Sequence, residues 1–267
     1  MPARTAFFMS DVLKSTVEAG VARVTLNRPS VRNAFNAELI SALRSEFTRL
    51  GESGTVRAIV LAGEGAAFCG GADINWMRGA LDLSYDENLA DAEAMSDMYR
   101  AIDRCPKPVI ARLHGVALGG GAGLAAVCDV AVASSDAVFG FIEVKLGIVP
   151  AVISPFVIAK IGASHARELF VTGRRFDATY AKEIALVHHV VARDDLDAAV
   201  DEVLTELRTA GPNAMSAAKA LVSVVRDASY DESRAITTST IARLRVADEG
   251  QEGLRSFLER RPAHYAR

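Results

Sequence analysis

A run of glycines, Gly119-Gly120-Gly121-Ala122-Gly123-Leu124, follows the apolar triplet Val116-Ala117-Leu118 and leads into the helix-compatible Leu124-Ala125-Ala126-Val127. Glycines this dense weaken a helix or strand interior, so they belong where the backbone itself must approach something closely. A helix starting at Gly120 or Gly121 leaves its first N–H groups unpaired and turns the positive end of its dipole outward, a terminus suited to an oxyanion or a phosphate. A second glycine pair stands in Gly70-Gly71-Ala72-Asp73-Ile74, after another apolar run. Two loops that each offer one N–H to the same oxygen make an oxyanion hole, where a single donor contributes about 10²–10³ in rate. An enolate held there needs a proton carrier. Glu143 is the candidate, because it follows the apolar residues 138–142 and precedes Leu146-Gly147-Ile148, a setting that desolvates a carboxylate and raises its pKa.

Other uses of the same residues stand beside this one. The glycines could serve only to pack a helix tightly on a sheet, and Glu143 could be a solvated loop acid. Gly121, Gly123 and Ala126 satisfy G-x-G-x-x-A, with Glu143 placed 20 residues beyond Gly123, as in a dinucleotide-binding turn. That fingerprint is loose and leaves the loop at residues 70–74 without a purpose. Asp73, Asp129 and Asp136 suit caps or turns. His114, His188 and His189 suit structural roles, since adjacent histidines on an extended chain point to opposite faces and do not readily share a metal. Ser154, Ser164 and Ser216 lack the G-x-S-x-G setting of a nucleophilic serine.

The elements that must position these groups follow from periodicity. Alternation over Val21–Leu26, closed by Asn27-Arg28-Pro29, predicts a half-buried strand, and Leu39, Ile40, Leu43, Phe47 and Leu50 recur at helical spacing before Gly51. Residues 56–62 predict a buried strand. Residues 86–104 predict a helix with Leu89, Ala92, Met95, Met98, Tyr99 and Ile102 on one face, stopped by Pro106 and Pro108. Further strands are predicted at 109–113, 129–133 and 138–142, so strands and helices alternate and the class is α/β with a buried sheet. Beyond about residue 150 the pattern becomes helical: Asp177 caps a helix to about 185, a short strand follows at 187–191, and helices are predicted at 196–208, 213–226, 231–247 and 250–260.

With 267 residues, 50% of them hydrophobic, the chain can bury a substantial core in one large domain with or without a smaller appendage. A net charge of -3 offers no basic stripe for nucleic acid. Cys69, Cys105 and Cys128 are too far apart for a zinc motif or a disulfide framework, which fits a reducing, cytoplasmic setting. Residues 1–10 lack the apolar core of a signal peptide, and residues 116–133 contain Asp129 and many small residues, which suits buried strand and helix better than a membrane span.

Several segments together resemble one family over nearly the whole chain. They are Leu26-Asn27-Arg28-Pro29 with Asn33-Ala34-Phe35-Asn36, Phe68-Cys69-Gly70-Gly71-Ala72-Asp73-Ile74, Lys107-Pro108-Val109-Ile110-Ala111, residues 115–121, and Cys128-Asp129. Phe139-Gly140 with Glu143, Leu146-Gly147-Ile148-Val149-Pro150 and residues 249–262 complete the set. The family is the crotonase, or enoyl-CoA hydratase/isomerase, superfamily. The resemblance implies an α/β spiral of ββα turns over residues 1–195, then a helical trimerisation region over 196–267, assembled as trimers or pairs of trimers. It implies an acyl-CoA thioester as substrate, with coenzyme A part of that substrate, no separate cofactor and no metal. The N–H groups of Ala72 and Gly120 would polarise the thioester oxygen, and Glu143 would exchange a proton with the acyl chain. Arg28 would lie near the CoA phosphates, Asp73 and Ile74 near adenine, and Ala34, Gly71, Gly119 and Gly123 along the same binding groove.

One position departs from the two-acid members of the family. Where their first catalytic glutamate follows the glycine run, this chain has Gly123. A single acid suits a 1,3-proton shift, whereas two divide water activation and α-carbon protonation. Against that, Gly71-Ala72-Asp73-Ile74-Asn75-Trp76-Met77, residues 119–124 and Pro150-Ala151-Val152-Ile153-Ser154-Pro155 resemble a bacterial subgroup assigned as methylglutaconyl-CoA or carboxygeranoyl-CoA hydratases of leucine and isoprenoid breakdown, which also carries glycine there. The expectation is therefore hydration of a 2-enoyl-CoA, branched for preference. A Δ3,Δ2-enoyl-CoA isomerase and a catalytically weak acyl-CoA-binding protein are the alternatives. Trp76, Met77, Leu81, Leu83 and Tyr85 are candidates for the acyl-pocket wall, or ordinary packing residues.

Overall fold

The computed structural model describes residues 5–266, so the expectation that no export signal occupies residues 1–10 lies partly outside the described residues. The chain opens with β1 (Thr5–Ser10), β2 (Leu13–Glu18) and β3 (Val21–Leu26), followed by α1 (Ala37–Glu52), β4 (Ala58–Gly63), α2 (Ile74–Gly79) and α3 (Tyr85–Asp103). Next come β5 (Val109–Leu113), β6 (Val116–Leu118), α4 (Gly120–Val127), β7 (Val130–Ser134) and β8 (Val138–Gly140). The remainder is α5 (Ser154–Thr172), β9 (Arg175–Asp177), α6 (Ala178–Glu183), β10 (His189–Val191), α7 (Leu196–Thr209), α8 (Pro212–Val225), α9 (Tyr230–Val246) and α10 (Asp248–Leu258).

Among the described residues the main sheet has seven strands in the order β1-β2-β3-β4-β5-β7-β10. β1, β2 and β3 are antiparallel, and from β3 onward every pairing is parallel. A sheet buried on both faces explains why β4 reads as a continuous apolar run rather than an alternating one. On one face α1, α3 and α4 pack with Leu39, Leu43, Phe47, Met98, Tyr99, Ile102 and Leu124 in the main core. On the other, Leu196, Val200 and Leu204 of α7 close over Ala58, Val60, Ile110 and Val132. The sheet therefore continues to recruit helices up to Thr209, and the helices that leave it begin at Pro212.

A second, three-stranded sheet runs β6-β8-β9. Two isolated parallel bridges extend its neighbourhood, Cys69 to Ala117 and Phe35 to Ala72, so the loop at residues 69–72 is laced between Phe35 and β6. Asn33 holds the turn before it: its amide donates to the carbonyls of Glu64 (2.9 Å) and Ala67 (2.8 Å), and its Oδ1 accepts from the Arg28 N–H at 2.8 Å.

Local chemistry sets the ends of the helices. Asn36 caps α1 by accepting from the Leu39 N–H at 3.0 Å, and Ser84 with Glu87 forms a reciprocal capping box at α3. The expected strand at 56–62 lies two residues later, and the one at 129–133 one residue later. β1, β2, β9, α2 and the long α5 were not among the predicted elements. α5 is broken at Gly162, whose φ of 76° lies outside the helical region, and this interrupts the period on which a prediction depends.

The last three helices pack differently. Glu249 caps α8 from a distance, accepting from the N–H groups of Asn213 (3.0 Å) and Ala214 (2.8 Å), and Lys219 ties α8 to the core through Asp129 Oδ2 at 2.7 Å. Their apolar side chains nevertheless stay open, including Val222, Tyr230, Val246, Phe257 and Leu258. One cation gathers distant pieces of chain: the Arg57 guanidinium donates to the carbonyls of Arg208 (3.3 Å), Ala210 (2.9 Å) and Tyr265.

Candidate active site

The glycine run lies between β6 and α4. Gly119 has φ +52°, a conformation side-chain-bearing residues rarely adopt, and its N–H donates to the Gly140 carbonyl at 2.7 Å. A Cβ on Gly119 would stand 3.0 Å from Glu143 Oε1, so the carboxylate rests directly against this stretch of backbone. Gly120 begins α4, and its N–H has no protein acceptor among the described residues. No Cβ fits there either, since it would meet the Tyr99 hydroxyl at 2.7 Å and the Phe35 ring at 3.0 Å.

The second loop is pressed against the first. Phe35 donates its N–H to the Gly71 carbonyl at 2.7 Å and accepts from the Asp73 N–H at 2.9 Å. The two bonds engage the residues on either side of Ala72, whose own N–H has no protein acceptor among the described residues. Gly71, with φ +97°, leaves room for the Leu118 carbonyl, which a Cβ would approach to 2.9 Å. The N–H groups of Ala72 and Gly120 thus stand, without protein acceptors among the described residues, on two segments held together at the end of β6.

Glu143 opens a 3₁₀ turn, Glu143–Leu146, just beyond β8. Its Oε2 is buried without a hydrogen-bond partner. Burial pushes the carboxyl above its ordinary pKa, opposed in part by its own backbone N–H. A desolvated carboxylate with one unpartnered oxygen, lying against Gly119, can move a proton at an atom next to a polarised carbonyl.

The other expected site residues are distributed as follows. Gly123 is buried, its N–H donates to the Gly119 carbonyl at 3.1 Å, and a Cβ there would lie 2.4 Å from Ile153 Cγ2 and 3.2 Å from the Tyr99 hydroxyl. The space a second carboxylate would need is filled by Ile153. Asp73, only 5% exposed, caps α2 by accepting from the Asn75 N–H at 2.8 Å, and it accepts from Arg28 at 2.7 Å. Burial pushes its carboxyl upward, but the N–H of Asn75, the Arg28 guanidinium and the N–H of Trp76 outweigh that and hold it below the ordinary value. Arg28 also donates to the Ala34 carbonyl. Arg28, Asp73 and the buried Ala34 thus form one bonded group, with Ile74 exposed beside it. Of the proposed wall residues, Trp76 borders a cavity of about 120 Å³ with Ala37, Ile40, Ser41, Arg44, Asp91 and Ala94, while Leu81 and Tyr85 are exposed.

The dinucleotide alternative fails on topology. β6 lies in the small sheet, whereas β7, the strand that follows α4, lies in the large one, so the run is not the turn of a βαβ unit in a single sheet. His114 is buried with Nε2 2.9 Å from the Gly65 carbonyl, and His188 Nδ1 accepts from the Ala131 N–H at 2.9 Å, both structural. Asp129 and Asp136 are engaged by Lys219 and Arg193. Two residues at the site were not singled out from sequence, Tyr99 as a contact of Gly120 and Ile153 as the occupant of the Gly123 side.

A family model described as enoyl-CoA hydratase/isomerase matches residues 16–267. Enoyl-CoA hydratase ACTT6 of Alternaria alternata is 34% identical over 241 residues, covering 90% of this chain and 79% of its own length. Among solved structures, an enoyl-CoA hydratase from Shewanella pealeana superposes with a TM-score of 0.92 at 37% identity, covering 95% of each chain. Pseudomonas aeruginosa AtuE does so with a TM-score of 0.93 at 36% identity, covering 96% of this chain and all of its own, 100%.

Proposed function

The chain belongs to the enoyl-CoA hydratase/isomerase family, and we propose that it adds water across the C2–C3 double bond of a 2-enoyl-CoA thioester with Glu143 as its only protein acid/base. The observation that carries this is the buried, unpartnered Oε2 of Glu143, whose carboxylate lies against Gly119, the neighbour of the free Gly120 N–H, with the free Ala72 N–H on the loop packed against β6.

The thioester oxygen accepts from Ala72 and Gly120, which draws electron density off C3. Glu143 takes a proton from a water molecule as its oxygen bonds to C3 and the C2–C3 π pair moves into the enolate. The enolate oxygen is held by the two N–H groups. Protonated Glu143 then returns the proton to C2, leaving a 3-hydroxyacyl thioester and the carboxylate as it began. Water supplies both added groups, so the cycle closes without an oxidant or reductant.

The absence of a second carboxylate at Gly123 favours one alternative, isomerisation of a 3-enoyl-CoA, in which Glu143 removes a proton at C2 and delivers it to C4. A branched acyl group, a trimeric assembly built on the open apolar faces of α8, α9 and α10, and a reducing cytoplasmic setting for the three buried free cysteines belong to the same proposal.

The deciding experiment is mass spectrometry of products in deuterated water from linear 2-enoyl-CoA, branched 2-enoyl-CoA and 3-enoyl-CoA, each supplied alone. A hydrated, deuterated product from a 2-enoyl ester is expected. Double-bond migration without hydration would replace this proposal by the isomerase, and ester binding without either product would leave only a binding protein.

A further inference from the structure

The first turn of α4 rests on Tyr99. This side chain comes from α3, is 0% exposed, and donates its hydroxyl to the Gly120 carbonyl at 2.7 Å. Its ring is fixed on both sides, edge-on to Phe35 at 6.4 Å and tilted against Phe156 at 5.9 Å. The hydroxyl is also the atom that a Cβ on Gly120 would meet at 2.7 Å and one on Gly123 at 3.2 Å. It therefore sits under the first turn of α4, between Gly120, whose N–H has no protein acceptor among the described residues, and Gly123, which stands where a second acid would.

A peptide at a helix start has few bonds to fix its tilt, because the N–H groups of the first turn have no partners within the helix. Gly120, with no side chain, adds no packing of its own. The peptide that carries the Gly120 N–H is held through its Gly119 carbonyl, which accepts from the Gly123 N–H at 3.1 Å, and the Tyr99 bond holds the next peptide; with both pinned, the φ and ψ of a permissive glycine, and so the direction of its N–H, are fixed. Oxyanion stabilisation depends on that direction, since the donor must point where the charge will develop before the reaction begins.

Building on the role given to Gly120 in the proposed function, we infer that Tyr99 is a positioning residue for the reaction: its hydroxyl pins the peptide that follows Gly120, so that the residue's own N–H is held in the direction that polarises the thioester carbonyl. Being fully buried, it acts through Gly120. It also gives the glycine at position 120 a second reason, since any side chain there would displace the hydroxyl that holds the peptide.

The test uses the full-length protein and Tyr99→Phe, which keeps the ring contacts and removes only the oxygen. An acyl-CoA carrying a ¹³C-labelled thioester carbonyl reports polarisation through its infrared band. In the parent protein the bound band moves to lower wavenumber than that of the free ester, and in Tyr99→Phe it moves less. The turnover number falls about tenfold, the scale of one hydrogen bond, while the Kd of a saturated acyl-CoA stays within about twofold. An identical bound band in both proteins, or a loss confined to KM, overturns the role of Tyr99. A parent protein whose bound band does not move at all overturns the Ala72–Gly120 oxyanion site itself, a result distinct from the first. If Tyr99→Phe folds poorly, Phe35→Leu supplies a control that disturbs the same packing but keeps the hydroxyl. Loss of polarisation in Phe35→Leu equal to that in Tyr99→Phe would reduce Tyr99 to packing and overturn the inference.

Discussion

The two ends of the first turn of α4 use the absence of a side chain in opposite ways. At Gly119 and Gly120 the vacated space admits polar groups, the Glu143 carboxylate on one side and the Tyr99 hydroxyl on the other. At Gly123, one turn on, it admits Ile153 first, 2.4 Å from where a Cβ would stand, with the Tyr99 hydroxyl farther off at 3.2 Å. The same residue type thus opens a reaction site and closes one, and what decides is the side chain that arrives from elsewhere in the chain. A glycine run in sequence marks a close approach without saying what approaches.

The sharpest way to break this contrast is to remove the polar partner. Glu143→Gln is expected to lower hydration by about 10²–10⁴, the usual contribution of a positioned acid/base, with acyl-CoA binding retained. Steady-state turnover together with an ester-binding titration checks it, and undiminished turnover would take Glu143 out of the chemistry. Stability should move the other way. Burial raises the folded-state pKa above the unfolded one, so the group favours folding while protonated and that contribution is lost as pH rises through the folded value. A neutral glutamine should leave the melting temperature at pH 7 unchanged or higher.

The apolar end makes the next largest prediction. Gly123→Glu should not create a second acid, because its Cβ already collides with Ile153; hydration should fall rather than rise. Gly123→Ala should cost about 1–3 kcal/mol by overpacking, and adding Ile153→Val should return part of it. Denaturant unfolding of the single and double variants measures the coupling, and simple additivity would mean that the two side chains do not compete for one space.

Asp73→Asn is the mildest test, since it keeps the cap but weakens the bond to Arg28. It should cost about 1–2 kcal/mol at pH 7. Asp73 has its pKa lowered by folding, so its contribution is present above the ordinary carboxylate pKa and lost as pH falls through the folded value. The variant's stability should therefore decline less steeply on acidification, which thermal melts from pH 7 to pH 3 would show.

Much of the site could be read in sequence because its parts are local. Two glycine loops, each after an apolar stretch, and a glutamate just past a short strand are features of a few adjacent residues. Alternation and helical spacing likewise gave most strands and helices. The supporting contacts were not legible. Tyr99 shares the buried face of α3 with Met98 and Ile102, and nothing in the period separates a tyrosine that bonds a distant carbonyl from one that merely fills space. Ile153 meets Gly123 only because the chain returns across α4. Arg28 and Asp73 look like two independent ligand-binding candidates until the fold brings them to 2.7 Å, where each becomes the other's partner.

Arg57 carries a consequence in time rather than in space. It sits just before β4, yet one of the carbonyls it grips belongs to Tyr265, 208 residues later. At a synthesis rate of about 5–20 residues per second, roughly 10–40 s separate the arginine from its last acceptor on the ribosome. The central strands can pair long before then, so this clasp is a late event in the protein's birth.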